Sequence, residues 1–358
     1  MEYNYIFGPV ASSRLGRSLG LDLLGDRICS FDCLYCEVGA TTRRTMERAP
    51  YVPARAVLDE LAHWKAHVYS PIDHVTLGGS GEPCLNSDLG AIIAGCRAIL
   101  PEIPVAVLTN ATLLGNHDVR RECAAADVVL PSLDSLAERE FARVNRPCFG
   151  LTAAGVAQGI LDFRAGFAGK LYLEILLVRD VNDSEESLAL LADYVRRLAP
   201  DRVDVVTMTR PGAFAKALPV PPETLSMWRV AMGAARAGAP APAADAPGSG
   251  TAMAVGAADG AAALSRDRHA GQPRTDAAVA DAVYASLRRR PQTVAQLAMA
   301  LALDGPDGAA LVRRVVRDLL AAQRIQPMAQ DRAGQGGATG ADLDEMFYGV
   351  PETGKYQG

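Results

Sequence analysis

No stretch of this 358-residue sequence approaches the roughly 20 consecutive apolar residues that a membrane helix needs. Its first residues, Met1-Glu2-Tyr3-Asn4, lack the basic region and apolar run of a secretion signal. Both absences set the expectation of a cytoplasmic protein with no membrane partner. An excess of basic residues is missing as well. With a formal net charge of -5 and a pI near 5.6, the chain is not a binder of nucleic acid through overall positive charge. Histidine is scarce, and His63 and His67, at helical spacing without the glutamate of an HExxH site, read as solvated. Neither a P-loop nor a Ser-His-Asp arrangement is present. Of the seven cysteines, Cys84, Cys96, Cys123 and Cys148 are widely spaced on different predicted elements. They suggest no disulfide framework and no second metal cluster, which agrees with a reducing compartment.

The other three cysteines lie within eight residues, Cys29-Ser30-Phe31-Asp32-Cys33-Leu34-Tyr35-Cys36. On a helix they would share one face as small buried hydrophobes. No apolar stripe extends beyond them: Asp26 and Arg27 precede, and Glu37, Gly39 and Thr41-Thr42-Arg43-Arg44 follow, so the segment reads as a loop. Soft thiolates at CxxxCxxC spacing suit an iron-sulfur cluster or zinc, and spacing alone leaves zinc and a disulfide open. A closed structural zinc site needs a fourth protein ligand, whereas a cubane cluster on three cysteines keeps one iron for an exogenous molecule.

Around this loop the text alternates strand and helix. An apolar segment from Ser18 to Leu24 delivers the cysteine loop, and a helix is predicted from Pro53 to Val68, with Val57, Leu58, Leu61 and Trp64 at helical spacing. Strands read at 72–78, 104–109, 127–132, 170–178 and 202–208. Helices read at 88–99, 116–125, 151–167, 184–199 and 222–237. Ser184 caps the fifth of the six barrel helices, ahead of Glu185 and Glu186 at its positive end. Six such units predict a parallel α/β sheet covered by helices, curled toward a barrel or open and doubly wound; either way the ligand site falls at the C-terminal strand ends.

The first 237 residues thus form one expected unit. A flexible Ala/Pro/Gly-rich linker is expected over 238–274, since its composition builds no core. Helices follow at 276–289, 293–302 and 307–323, and Ile325 and Phe347-Tyr348 are placed to pair around a Gly-rich loop. The segment 275–350 therefore reads as a small winged-helix-like module, with 351–358 as a tail. Over 275–330 seven arginines (Arg288, Arg289, Arg290, Arg313, Arg314, Arg317, Arg324) stand against five aspartates, a mild balance for tracking phosphates.

Other residues carry candidate chemistry. The second strand ends Gly78-Gly79-Ser80-Gly81-Glu82-Pro83, where glycines admit close approach of a ligand and Glu82 suits an ammonium group; an ordinary strand-to-helix turn is the plain alternative. Asn110, Ser132 and Asp134 at strand ends can hold ribose hydroxyls or a carboxylate, or cap the next helix. Glu174, inside an apolar strand, either faces the barrel interior as a ligand or pairs with an arginine. Arg146 and Arg210 sit in loops that can reach an anionic substrate, and surface solvation is the alternative.

The CxxxCxxC loop with Tyr35 before its last cysteine resembles the signature of the radical S-adenosylmethionine (radical SAM) superfamily. Phe7-Gly8-Pro9 through Ser13-Arg14-Leu15-Gly16-Arg17-Ser18-Leu19-Gly20 looks like the branch grouped with the wyosine-base synthases, with similarity running to about Pro211. Two departures are visible: Ala11-Ser12-Ser13-Arg14 stands where that branch has Pro-Ser-Arg-Arg, and no cysteine precedes Cys29. The resemblance implies a partial (βα)6 TIM-like barrel. It implies a 4Fe-4S cluster on Cys29, Cys33 and Cys36, with S-adenosylmethionine on the open iron and its amino group near Gly81, Glu82 and Pro83. Tyr35, Asn110, Ser132 and Asp134 would complete the cofactor site, while Arg14, Arg17, Arg146, Glu174 and Arg210 are candidates for catalysis or substrate. Reductive cleavage would release a 5'-deoxyadenosyl radical that abstracts hydrogen from an unidentified substrate, a tRNA base among the candidates. A one-electron donor such as flavodoxin or ferredoxin would be a partner. The competing expectation is a redox-sensing regulator that binds nucleic acid through Arg313, Arg314 and Arg317.

Overall fold

The computed structural model describes residues 3–68, 70–210, 212–237, 276–289, 292–301, 303, 306–328 and 346–350. The chain begins with a hairpin, β1 (Ile6–Ser12) and β2 (Gly16–Leu21), followed by the short β3 (Ile28–Cys29) and β4 (Arg43–Arg44) and by α1 (Ala54–His67). Alternation then sets in: β5 (His74–Leu77), a 3-10 turn over Pro83–Leu85, α2 (Leu89–Ile99), β6 (Val105–Thr109), α3 (His117–Cys123) and β7 (Val128–Pro131). Two helices, α4 (Glu138–Val144) and α5 (Ala153–Gly166), precede β8 (Lys170–Leu177), α6 (Glu185–Leu198), β9 (Arg202–Thr207) and α7 (Pro222–Ala237).

Seven strands form one curled sheet in the order β1-β2-β5-β6-β7-β8-β9. The β1–β2 pair is antiparallel and every other pair is parallel, so six parallel strands make the expected partial barrel and β1 extends one edge. Strand β1 was not among the predicted strands. Its sequence, Ile-Phe-Gly-Pro-Val-Ala-Ser, carries a Gly-Pro pair that breaks a strand pattern, and the ladder shifts register between Phe7 and Val10. Helix α4 was also missed: only Phe141 and Val144 are buried in it, too few to show a period.

Strand β8 shows how the sheet divides its residues. Leu171, Leu173, Ile175 and Leu177 are fully buried and join the main core with Val75, Leu77, Val107 and Val129, while the alternate Tyr172, Glu174 and Leu176 are half-buried. Helix α6 starts as read, with Ser184 Oγ accepting from the Ser187 N–H at 3.1 Å. The β1–β2 turn folds inward near the N-terminal strand ends, where Leu15 packs with Ala106, Val128 and Leu130, and Arg202 Nη2 donates to the Arg14 carbonyl at 3.2 Å.

The C-terminal segment forms α8 (Asp276–Arg289), α9 (Val294–Ala300), α10 (Pro306–Ala321), β10 (Gln326–Met328) and β11 (Phe347–Gly349). The two strands pair antiparallel, and Val283, Leu287, Leu297, Val312, Val315, Ile325 and Tyr348 make a core of their own. Thr293 and Gln296 form a capping box at the start of α9. Helices α8 and α9 lie against β1. The expected linker 238–274, the Gly-rich loop, the side chains of Arg288, Arg289 and Arg290 and the tail 351–358 lie outside the described residues. No helix among the described residues is long and apolar enough to cross a membrane.

Candidate active site

The cysteine loop leaves the C-terminal side of β2 and is pinned at its base. Asp22, fully buried, turns the chain by accepting from Leu24 N–H at 3.1 Å, and its other oxygen takes the Ser80 hydroxyl at 2.7 Å. That bond joins the exit of β2 to the glycine-rich turn after β5. Gly79 there has φ +127°, a conformation that only glycine adopts without strain. Gly81 passes so close to the loop that an added Cβ would collide with the Ile28 carbonyl, while the Glu82 N–H donates to that same oxygen at 3.1 Å.

Cys29 ends β3, Cys33 and Cys36 stand on the loop that follows, and all three are partly buried. The loop rests on the segment after α4: Leu34 N–H donates to the Val144 carbonyl and Asp32 N–H to the Asn145 carbonyl, both at 3.0 Å. Two side-chain amides aim at the sulfurs, Asn110 Nδ2 at Cys29 Sγ (3.4 Å) and Asn145 Nδ2 at Cys33 Sγ (3.5 Å). Donors so placed favour sulfur that carries negative charge. Burial alone works the other way, pushing the Cys29 thiol up to about 12 and the Cys33 and Cys36 thiols upward as well. Only a positive centre shared by the three would make thiolates of them near neutrality.

Cys29 and Cys36 open on a cavity of about 620 Å³ at the barrel's centre. Its walls include Tyr35 of the cysteine loop, Gly81, Glu82, Asn110 and Ser132 from the strand ends, the apolar Phe7, Leu108, Leu176 and Val206, and the charged Arg14, Glu174, Glu37 and Arg210. Gln296 of α9 reaches the same space. Arg14 Nη1 meets Glu174 Oε2, so Glu174 lines the cavity and is paired with an arginine. Arg210, nine-tenths buried, donates to Glu37 Oε2 at 2.8 Å. A second cavity, of about 580 Å³ beside Lys170, Asp201 and Arg202 at the opposite strand ends, contains none of the predicted site residues.

Five of the predicted site residues do not line the central cavity: Cys33, on the loop already described, and four others. Asp134 does not line the cavity; it is buried and accepts from Tyr35 Oη (2.6 Å), Asn145 Nδ2 (2.6 Å) and the Leu176 N–H (2.9 Å), bracing the loop from behind. Burial raises its carboxyl above the ordinary aspartate value despite these three donors. Arg17 points to the N-terminal side of the sheet, where Asp73 holds its backbone N–H at 2.7 Å. Arg146 turns outward, pairing with Asp32 at 3.0 Å and lying 4.4 Å over the Phe214 ring. Pro83 opens the 3-10 turn and is buried behind Glu82. Asn145, Asp22 and Glu37 were missed. Asn145 and Glu37 neighbour residues that the sequence did flag, but their partners are supplied only by folding. His63, read as solvated, is instead partly buried and bonds to the Tyr3 hydroxyl at 2.8 Å.

A model of the radical SAM superfamily matches residues 26–192. The UPF0026 protein slr1464 of Synechocystis sp. is 35% identical over 209 residues, covering 58% of this chain and 76% of the relative. The chain belongs to the UPF0026 family of the radical SAM superfamily. A protein named GTPase Obg from Brachyspira hyodysenteriae is 37% identical over 205 residues, 57% of this chain, but the chain spans only 30% of that relative's length. Among solved structures, a radical SAM methyltransferase from Sphaerobacter thermophilus superposes with a TM-score of 0.47 at 14% identity, covering 61% of this chain and 63% of that one.

The cofactors of the superfamily are a 4Fe-4S cluster and S-adenosylmethionine, and this radical SAM chain has residues that fit them. Two of the three soft thiols, Cys29 and Cys36, border the cavity, no fourth protein ligand joins the three among the described residues, and Gly81 keeps open the gap between that cavity and the loop's base. Glu82 is 2% exposed, and its oxygens accept from Cys84 N–H (3.0 Å), Thr109 Oγ1 (2.7 Å) and Asn110 N–H (2.6 Å). A carboxylate offers about four acceptor sites, so one remains for an ammonium group. Burial raises the Glu82 carboxyl above its ordinary value, and its hydrogen bonds only partly offset this. Glu82→Gln should turn an amide N–H toward one of these donors and cost about 1–3 kcal/mol. The raised carboxyl makes a contribution that is complete below the ordinary glutamate value and is lost as pH rises through the folded-state value. Urea titrations of both proteins across acidic to neutral pH should therefore show a slope in the wild type that the variant lacks; equal stability and equal slopes would refute this.

Proposed function

We propose that this chain is a radical SAM enzyme whose cluster is held by Cys29, Cys33 and Cys36 and whose S-adenosylmethionine lies in the central cavity. The supporting observation is that the cysteine loop, the Gly81-Glu82 turn, Asn110 and Ser132 meet around one space at the C-terminal strand ends. When bound, the two cofactors supply one-electron cleavage of a sulfonium and a carbon radical able to abstract hydrogen. The chain's own residues do the rest. Glu82 and the backbone beside Gly81 receive the amino group, Phe7, Leu108, Leu176 and Val206 exclude water, and Asn110 and Asn145 turn N–H donors to the sulfurs. The Arg14–Glu174 pair and Arg210 give the cavity charged ends and support a polar substrate. A tRNA base is the substrate class that the likeness to wyosine synthases supports, a flavodoxin or ferredoxin the donor class, and the scattered reduced cysteines support a cytoplasmic setting. The regulator reading finds less support: Arg314 is tied to Asp276 at 2.7 Å and Arg324 lies 4.1 Å over the Tyr284 ring.

The test is anaerobic reconstitution, reduction with dithionite and chromatographic measurement of 5'-deoxyadenosine formed from S-adenosylmethionine. The wild type should form it and Cys36→Ala should fall to background. Equal yields from both, or a wild-type cluster that neither cleaves S-adenosylmethionine nor changes its EPR spectrum on binding it, would sink the proposal.

A further inference from the structure

We propose that the outer face of the cysteine loop, built from Phe149, Arg44 and Arg43, is the docking surface for a small acidic one-electron carrier protein; this rests on the reading that the three cysteines hold a reducible cluster. Phe149 is 107% exposed, more than any other large apolar side chain among the described residues. Single exposed apolar residues are ordinary on a protein surface, and what distinguishes this one is its position. Its loop is bonded to the cysteine loop at three points: Asp32 N–H to the Asn145 carbonyl (3.0 Å), Leu34 N–H to the Val144 carbonyl (3.0 Å) and Cys148 N–H to the Ser30 carbonyl (2.8 Å). Residues 144–148 thus back the chain between the cysteines, and Phe149 projects from that backing into solvent.

The central cavity is walled by other residues. Cys29 and Cys36 line it, and none of residues 144–150 does, nor do Arg43 and Arg44. Arg44 pairs with Cys29 in the β3–β4 ladder, so this face adjoins a cysteine without crossing the cavity. Its charge is opposite to that of the chain. Against a net charge of -5, Arg43 and Arg44 are both exposed. Arg44 donates to the Arg146 carbonyl at 3.1 Å and pairs with no carboxylate among the described residues, while Arg43 holds Glu47 at 2.9 Å. Arginines beside an exposed aromatic are the side chains that carry interface energy, and their charge steers an acidic partner. RNA also binds arginine and aromatic groups, but a target base would have to enter the cavity, and none of these residues lines it.

The step moves one electron. The reduced carrier is oxidised by one electron, the cluster gains it, and no bond or proton changes place. The probes are an acidic flavodoxin and a 2Fe-2S ferredoxin. Binding of the oxidised, dye-labelled carriers to the full chain is read by fluorescence anisotropy at low and high salt, and cluster reduction by the reduced carriers is read by stopped-flow absorbance. Phe149→Ala and Arg44→Glu should each weaken binding of a carrier about tenfold or more at low salt and slow reduction by that carrier in proportion. Arg44→Glu should also flatten the salt dependence, and dithionite should reduce all three proteins alike. Phe149 packs on nothing, so its truncation leaves the fold intact. Unchanged binding and rates in both variants overturn the proposal, as does failure of both carriers to bind the wild type. Weakened binding of bulk tRNA with carrier binding unchanged assigns the surface to RNA and overturns it too. If dithionite finds no reducible cluster in the wild type, the enzyme reading falls, while the anisotropy still decides whether this surface binds an acidic carrier.

Discussion

Gly81→Ala should leave the protein without bound iron and markedly less stable. The methyl group would have to occupy the place of the Ile28 carbonyl, and Ile28 directly precedes the first cysteine. Neither side can give way easily, because the contact is backbone against backbone. On one side, the Ile28 oxygen accepts from Glu82 N–H at 3.1 Å; on the other, Glu82 is fastened by Cys84, Thr109 and Asn110. Forcing atoms into a packed site costs typically about 1–3 kcal/mol and more where the backbone must shift. We expect the upper end of that range or beyond, with iron and sulfide after reconstitution near the level of a cysteine variant. Gly166→Ala is the control, since nothing lies within 4 Å of its added Cβ. Urea unfolding and iron analysis of both variants decide the matter. A Gly81→Ala protein within about 0.5 kcal/mol of wild type, the usual range for a harmless surface change, and with full iron would show that the loop's base moves freely.

This contact also marks where the sequence was legible. Strands β5 to β9 were readable as short apolar runs and helices α2, α3, α5, α6 and α7 by the positions each buries on one face, and the cysteine loop because three thiols in eight residues have few other uses. The glycine-rich turn was legible as a place of close approach, but that it approaches Ile28 follows only from the pairing of β2 with β5. Side chains whose meaning depends on distant partners were not legible. Arg17, flagged through the family resemblance, and Arg146, read as a loop arginine, both stand outside the cavity; Asp73, 56 residues away, takes the first to the far end of the sheet, and Asp32 turns the second outward. Arg14 and Glu174 were each flagged singly, and only the inward fold of the β1–β2 turn joins them across the cavity. Strand β1 escaped because Gly8-Pro9 interrupts its pattern, although a register shift accommodates the pair within the ladder.

Asp134 is the sharpest of these cases, and its replacement is expected to have the second large effect. Read as a cofactor ligand at a strand end, it instead gathers three donors from three segments: Tyr35 of the cysteine loop, Asn145 after α4 and the Leu176 N–H of β8. All three are at least partly buried, so Asp134→Ala would leave a hydroxyl, one N–H of an amide and a backbone N–H without their acceptor. A buried group so stranded costs about 1–3 kcal/mol, and three in one network should together exceed about 3 kcal/mol. The loss should reach the thiols, because Asn145 bridges Asp134 to Cys33, at 2.6 Å and 3.5 Å. Iron retention should therefore fall along with stability, whereas a residue that only bound cofactor would leave the urea midpoint of the metal-free protein unchanged. Asp134→Asn separates shape from charge. Its carbonyl can still serve Leu176, but its amide faces two donors, so it should recover part of the stability and little of the iron. Because burial raises the Asp134 carboxyl, the wild type holds that proton more tightly folded than unfolded. Its contribution is complete below the ordinary aspartate value and fades as pH rises through the folded-state value. That fading should be absent from the Asn variant. Wild-type stability in Asp134→Ala without metal would return this residue to the cofactor site and remove the network's claim to hold the cysteine loop.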